Sequence, residues 1–255
     1  MPGNPMLSAE VPAAATAGWV DATLLAGADD DCCLVLGAPV SRAELRDLVG
    51  RRQRVLAAAG LQAGGSIALH LPPSVAFVAE LLAAWRIGAQ VLLLDHRLTG
   101  YEVDVALDRL GSQMLVRAAE AGGRAGLRTF AEVTPEVVVR DGRQASTAHV
   151  LLQLSSGSTG PSKVIGRTAQ SLVDELVRYT RIAGSPEPGE RIVLLASMVH
   201  VLGLVGGLLH GLHTGCTLVL PERLTVDSVF AAIGADARPA TLLGVPFHIE
   251  LLASA

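Results

Sequence analysis

Leu151-Leu-Gln-Leu-Ser-Ser-Gly-Ser-Thr-Gly-Pro-Ser-Lys163 runs from an apolar stretch into small hydroxyl residues and glycines, and ends on a lysine. The apolar run over 149–154 reads as a buried strand. Gly157 and Gly160 allow a turn that brings the backbone close to a ligand. Ser155, Ser156, Ser158, Thr159 and Ser162 offer hydroxyls, the loop offers backbone N–H groups, and Lys163, the only lysine in the chain, adds a positive charge. Donors and charge in that order suit an anionic phosphate chain. The loop is not the common nucleotide-binding P-loop, which needs Gly-Lys-Ser/Thr at the start of a helix. Here Pro161 and Ser162 separate Gly160 from Lys163.

Outward from this loop the chain alternates strands and helices. Strands are expected over 32–37, 66–71, 89–94, 114–117, 191–195, 216–220 and 240–245. Ser41-Arg-Ala-Glu44 is a capping box that opens a helix through about 59, with Leu45, Leu48, Val49 and Leu56 on its apolar stripe. Further helices are expected over 74–87, 101–110, 171–183, 203–212 and 226–235, and a last one from 247. Gly60 and Gly88 stop the first two. The alternation predicts an α/β fold with mainly parallel sheets and flanking helices. The stretch 122–147 is polar and irregular and reads as a linker or an excursion. The expected organisation is a leader over 1–20, a first α/β lobe over 21–147, and a second lobe with the loop over 148–255.

Composition narrows the function classes. Half of the 255 residues are hydrophobic, enough for a large core. A net charge of −4 gives no basic footprint for nucleic acid, and 3% aromatics gives few stacking platforms. Cys32, Cys33 and Cys216 form neither a disulfide framework nor a metal motif, so reduced thiols in a cytoplasmic protein are expected. No metal-ligating set is assigned. The N-terminal residues lack the basic region of a signal peptide. Residues 192–221 carry no Asp, Glu, Lys or Arg, but glycines and three histidines interrupt them, and they divide into strand-like and helix-like parts. They read as a buried β-helix-β unit, not a membrane span.

The order Ser-Ser-Gly-Ser-Thr-Gly-x-x-Lys resembles the phosphate loop of the adenylate-forming enzymes, the superfamily of acyl- and aryl-CoA synthetases and peptide-synthetase adenylation domains. Gln153 and the tail Ile165-x-Arg167-Thr168 resemble the aryl-acid AMP ligases within it. Trp85-Arg-Ile-Gly-Ala-Gln-Val-Leu-Leu-Leu-Asp95 is similar to the family's second core motif, Ser197-Met-Val-His200-Val-Leu-Gly203 to the motif bordering the acyl pocket, and Thr241-Leu-Leu-Gly-Val-Pro246 to the strand before a helix of pocket residues.

The resemblance implies the two α/β lobes of that family's N-terminal domain, without its C-terminal lid. It implies that Ser155, Ser156, Gly157, Ser158, Thr159, Gly160, Ser162 and Lys163 hold the phosphates of ATP, and that His200 borders a small carboxylic acid. Val201 stands where hydroxybenzoate-type ligases carry Asn; a valine makes no side-chain hydrogen bond, which favours a less polar acid. Mg2+ would accompany ATP, and CoA or a carrier protein's phosphopantetheine would accept the acyl group. The family's aromatic-Gly-x-Thr-Glu segment, which positions magnesium, its ribose-binding Asp and its lid lysine are not found in these 255 residues. The implied function is the N-terminal portion of an acid:AMP ligase, inactive alone. The alternative is a non-catalytic or split-enzyme subunit that binds a complementary polypeptide.

Overall fold

The structure is a computed structural model that describes residues 18–119, 128–155 and 163–254. In chain order its elements are α1 (Trp19–Thr23), β1 (Cys32–Leu36), β2 (Ala38–Ser41), α2 (Arg42–Ala58), β3 (Ser66–His70), α3 (Val75–Ile87), β4 (Gln90–Leu93), α4 (Gly100–Leu110), β5 (Met114–Ala118), β6 (Pro135–Val139), β7 (Leu151–Leu154), β8 (Val164–Arg167), α5 (Ala169–Tyr179), β9 (Arg191–Leu194), a π-helix (Leu202–Leu209), α6 (His210–Thr214), β10 (Thr217–Val219), α7 (Val226–Ile233), β11 (Ala240–Leu243) and α8 (Pro246–Ala253).

Local chemistry sets the helix ends. Ser41 Oγ accepts from Glu44 N–H at 3.2 Å while the Glu44 carboxylate accepts from Ser41 N–H at 2.7 Å, so the capping box of α2 is complete. Thr99 and Glu102 build a second box on α4. Ser74 caps α3 by accepting from Phe77 N–H. That helix stops at Gly88, whose φ of 89° is open to glycine and strained for other residues.

Two sheets form, one with strand order β11-β9-β10-β1-β2 and one with order β6-β5-β3-β4-β7-β8. The inner strands pair in parallel; β2, β6 and β8 run antiparallel at the edges. Period-two alternation divides the six-stranded sheet between two clusters. Ile67, Leu69, Val91, Leu93 and Leu151 face α3 in a cluster that also takes in the five-stranded sheet. Ala68, Leu92, Leu115 and Leu152 pack with Val103, Ala106 and Leu107 of α4 on the other face.

Each sheet draws strands from both sides of residue 147. Strand β7 joins β4 of the expected first lobe, and β1 joins β10 of the expected second. Parallel pairing needs crossovers, and here they carry strands between sheets, which local periodicity does not encode. The stretch 122–147, expected as a linker or an excursion, contains an ordered strand, β6, paired with β5 in register from Met114↔Val139 to Ala118↔Pro135.

The charge-free region behaves as a β-helix-β unit: β9 and β10 are parallel neighbours, joined through the π-helix and α6. Among the described residues no helix is long and apolar enough to cross a membrane.

Candidate functional site

Strand β7 pairs with β4 on one side and with β8 on the other, from Leu151↔Arg167 to Leu154↔Val164. The glycine- and serine-rich loop is therefore the connection of an antiparallel hairpin. Its neck is closed by two bonds: Ser155 N–H donates to the Lys163 carbonyl at 2.9 Å, and Lys163 N–H donates to Ser155 Oγ at 3.0 Å. Ser156, Gly157, Ser158, Thr159, Gly160 and Ser162 lie outside the described residues.

Lys163 leads into a strand, and the next helix begins only at Ala169. This agrees with the exclusion of a P-loop. No helix N-terminus follows the lysine directly, so no helix macrodipole acts at Lys163, which is exposed.

His200 sits in the turn after β9, where its N–H donates to the Ser197 carbonyl at 3.2 Å and its carbonyl accepts from Leu204 N–H at 2.8 Å. The residue is exposed, and Val201 beside it is 44% exposed. One bond joins this turn to the loop hairpin. Gln153, buried in β7, donates from Nε2 to the Val199 carbonyl at 2.7 Å. The two sequence-predicted regions, the loop and the His200 turn, are thus held together through a residue two positions before Ser155.

The turn runs into a π-helix where an α-helix is expected. Gly203 allows the close approach. A Cβ there would stand 2.2 Å from the Ser197 carbonyl oxygen. Further along, Gly206 lies against the Tyr179 ring, and a Cβ there would meet its hydroxyl at 3.1 Å. His210, fully buried with its ring edge-on to Tyr179 at 4.6 Å, is a core histidine whose pKa is lowered by burial.

The second core motif ends in a charged group just past β4. Asp95, two residues past the Leu93↔Gln153 pairing of β4 with β7, pairs with Arg97 and His96. Burial alone would raise its carboxyl, but the hydrogen bonds from Arg97 bring it down to about 2. His70, at the end of the neighbouring β3, has its pKa lowered by burial and by His96, and its Nε2 has no hydrogen-bond partner. These side chains crowd the carboxyl ends of parallel strands, where ligands of open α/β sheets bind. Among the described residues no group of three or more His, Cys, Asp or Glu could hold a metal ion.

At the far end of the chain, β11 is an edge strand and α8 buries no side chain. Phe230, Val245, Phe247 and Ile249 are all exposed there.

This chain belongs to the AMP-binding enzyme family, which it matches over residues 26–255. It is 29% identical over 235 residues to a feruloyl-CoA synthase from an Amycolatopsis species, covering 86% of this chain and 46% of that protein. It is 26% identical over 240 residues to an indoleacetate–CoA ligase from Aromatoleum aromaticum, covering 84% and 46%. The chain spans about half the length of the curated relatives it matches. Its fold is similar to the N-terminal domain of FACL13 from Mycobacterium tuberculosis, with a TM-score of 0.74, 20% identity, and coverage of 93% of this chain and 63% of that one. It is also similar to o-succinylbenzoate coenzyme A synthetase from Bacillus subtilis in complex with AMP, with a TM-score of 0.72, 22% identity, and coverage of 92% and 62%. The mixed α/β architecture with two sheets is that of these domains.

Proposed function

We propose that this chain is the ATP-phosphate- and acid-binding portion of a carboxylic acid:AMP ligase. The observation that carries the reading is the β7–β8 hairpin, with its Ser155–Lys163 clasp, under a sequence of the family's phosphate-loop order. The relatives' names support it: both are ligases of aryl-substituted acids to CoA.

In the proposed reaction an oxygen of the acid's carboxylate attacks the α-phosphorus of ATP. The bond from that phosphorus to the bridging oxygen breaks, and pyrophosphate leaves. A thiol, of CoA or of a carrier protein's phosphopantetheine, then displaces AMP from the acyl group. Such transfers depend on positioning and on neutralising developing charge. The Ser155–Lys163 loop would hold the β- and γ-phosphates, with the Lys163 ammonium offsetting their charge. The His200 turn would border the acid, and exposed Val201 favours an apolar aryl or alkyl group there. Mg2+, when bound with ATP, would neutralise further phosphate charge; this reading assigns it no ligand among the described residues.

The family's adenine segment, ribose Asp and lid lysine are not found in the 255 residues. Each such stabilising group contributes about 3 kcal/mol, so several missing together slow the reaction by many powers of ten. We therefore expect the chain to bind Mg·ATP and to be inactive alone. A split enzyme is the second reading. The exposed Phe230 on α7 and Val245, Phe247 and Ile249 at α8 favour it, since a complementary polypeptide would bury them.

Exchange of labelled pyrophosphate into ATP, with a panel of aryl and fatty acids, tests both. Calorimetry should show ATP binding, and exchange should appear only when a polypeptide carrying the remaining family segments is added. Strong exchange by the chain alone would overturn the inactivity. Absence of any ATP, AMP or pyrophosphate binding would overturn the ligase reading.

A further inference from the structure

Strand β6 forms one edge of the six-stranded sheet, and among the described residues no strand lies beyond it. Arg140 N–H donates to the Gln113 carbonyl at 2.8 Å, and the Thr134 carbonyl accepts from Ala119 N–H at 2.9 Å. In the unbroken antiparallel register with β5, Val138 and Glu136 therefore also turn their main-chain groups towards β5. The N–H and C=O groups of Val137 and Val139 point away from the sheet. Pro135, which has no N–H to donate, falls in that outward set, where an edge strand tolerates it. No lysine, proline or bulge guards the run Val137-Val138-Val139, and Val139 is 64% exposed. Such an edge is a template for a further strand. The run is flanked by opposite charges, Glu136 before it and Arg140 after it. Two copies paired in parallel would set Glu against Glu and Arg against Arg. Paired antiparallel about a two-fold axis at Val138, each Glu136 lies opposite Arg140 of the second copy.

We propose that β6 is a self-association edge at which a second copy of this chain pairs antiparallel about Val138, joining the two six-stranded sheets into one. The axis makes Val137 and Val139 of the second copy a hydrogen-bonded pair, which uses the main-chain groups that point outward. It puts Glu136 and Arg140 of the second copy at a non-hydrogen-bonded position, where side chains lie closest. Glu136 already pairs with Arg117, and Arg140 with Asp108 on α4. The join therefore builds a row of alternating sign: Arg117, Glu136, then Arg140 and Asp108 of the second copy. Charge selects this register among those the outward groups permit, and excludes parallel pairing. The contact is isologous, so it closes at two copies. An edge of five residues is small beside the roughly 1,200–2,000 Å² of a stable interface, so the dimer is a reversible one. The proposal does not depend on the ligase reading.

Sedimentation equilibrium of the whole chain over about 1–100 μM should show the mass rising from 26.4 kDa towards twice that value. Val139→Pro removes an outward N–H and leaves the ladder to β5 intact, so it should weaken association at least roughly tenfold with little change in melting temperature. Should that variant not fold, Val139→Lys, at a side chain already in solvent, decides in its place. Glu136→Arg alone and Arg140→Glu alone set like charges opposite each other and should each weaken the dimer. The double swap restores opposite charges across the axis and should recover it. Val138→Cys sets two thiols across the axis with Cα atoms about 4.5 Å apart, within disulfide reach, so mild oxidation should cross-link the dimer. Ile182→Cys, exposed after α5, should not cross-link. A wild type that stays monomeric throughout the range overturns the proposal. So does a dimer that survives the substitution at Val139, a double swap that recovers nothing, or equal cross-linking of the two cysteine variants. A dimer lost in Phe247→Ser but kept in Val139→Pro would put the interface at α8 and equally overturn it.

Discussion

The indole N–H of Trp85 donates to the Val150 carbonyl at 2.8 Å, and the same oxygen accepts from Val91 N–H at 2.8 Å. A helix of one βαβ unit is thereby bonded to the residue that leads into the loop-bearing strand. Trp85→Phe keeps an aromatic ring but removes one of the two donors and part of a fully buried volume. We expect a loss of about 2 kcal/mol of unfolding free energy, read from the denaturant midpoint at constant slope. An unchanged midpoint would mean that the bond contributes nothing.

Glu80 on α3 is fully buried and paired with Arg52 of α2. Burial pushes its carboxyl up from 4.5 to about 7, and the Arg52 guanidinium only partly opposes this. The folded chain therefore holds the Glu80 proton up to about pH 7, while the unfolded chain releases it near 4.5. The associated stability is present in full below 4.5 and is lost as pH rises to 7, by an amount on the order of 3 kcal/mol. Glu80→Gln should remove that slope from a plot of stability against pH. A variant whose slope matches the wild type would show that Glu80 does not titrate in this window.

Gly203 has no room for a side chain, because the backbone of Ala196 and Ser197 stands 2.2 to 2.6 Å from the position a Cβ would take. Backbone cannot yield as a side-chain tip can. Gly203→Ala should cost about 1–3 kcal/mol and lower the melting temperature. Gly211→Ala is the control: the nearest atom to its Cβ is Ile192 Cδ1 at 3.4 Å, ordinary contact, and alanine favours the helix. Equal melting temperatures for the two variants would refute the crowding argument.

Lys163 contributes its backbone to the clasp and leaves its ammonium exposed. Lys163→Ala should leave the melting temperature nearly unchanged and weaken pyrophosphate binding roughly ten- to a hundredfold, the range for a charged hydrogen bond. Calorimetry that finds equal affinity would remove Lys163 from the proposed phosphate site.

Most inner elements were legible in the sequence because their signals are local. The Ser41–Glu44 box, the stops at Gly60 and Gly88 and the apolar runs of β3, β4 and β7 each act within a few residues. The second box, Thr99-x-x-Glu102, is equally local. The edge strands β2, β6 and β8 were not foreseen. β2 and β8 are short and only partly buried, so their sequences lack a strong apolar pattern; β6 carries Val137, Val138 and Val139 but lies inside a polar, irregular stretch that hides it. The π-helix was missed for a similar reason: the squeeze of Gly203 against Ser197 is a tertiary contact. At the candidate site, residue order marks the strand β7 that leads into Ser155 and the turn that carries His200. The Gln153–Val199 bond is not so marked, because nothing in a sequence states which carbonyl a buried amide will find.

The pairing of β1 with β10 also fixes an order of events during synthesis. Strand β1 leaves the ribosome well before its parallel neighbour in the sheet, β10, which lies beyond residue 216. At translation rates of about 5–20 residues per second, Leu34 and Leu36 wait on the order of ten seconds or more for the strand that will cover them. During that time the nascent chain presents an open strand edge. Ribosome-stalled chains ending before β10 should therefore recruit chaperones at the open edge of β1, although the six-stranded sheet, whose strands are all complete by residue 167, can already close.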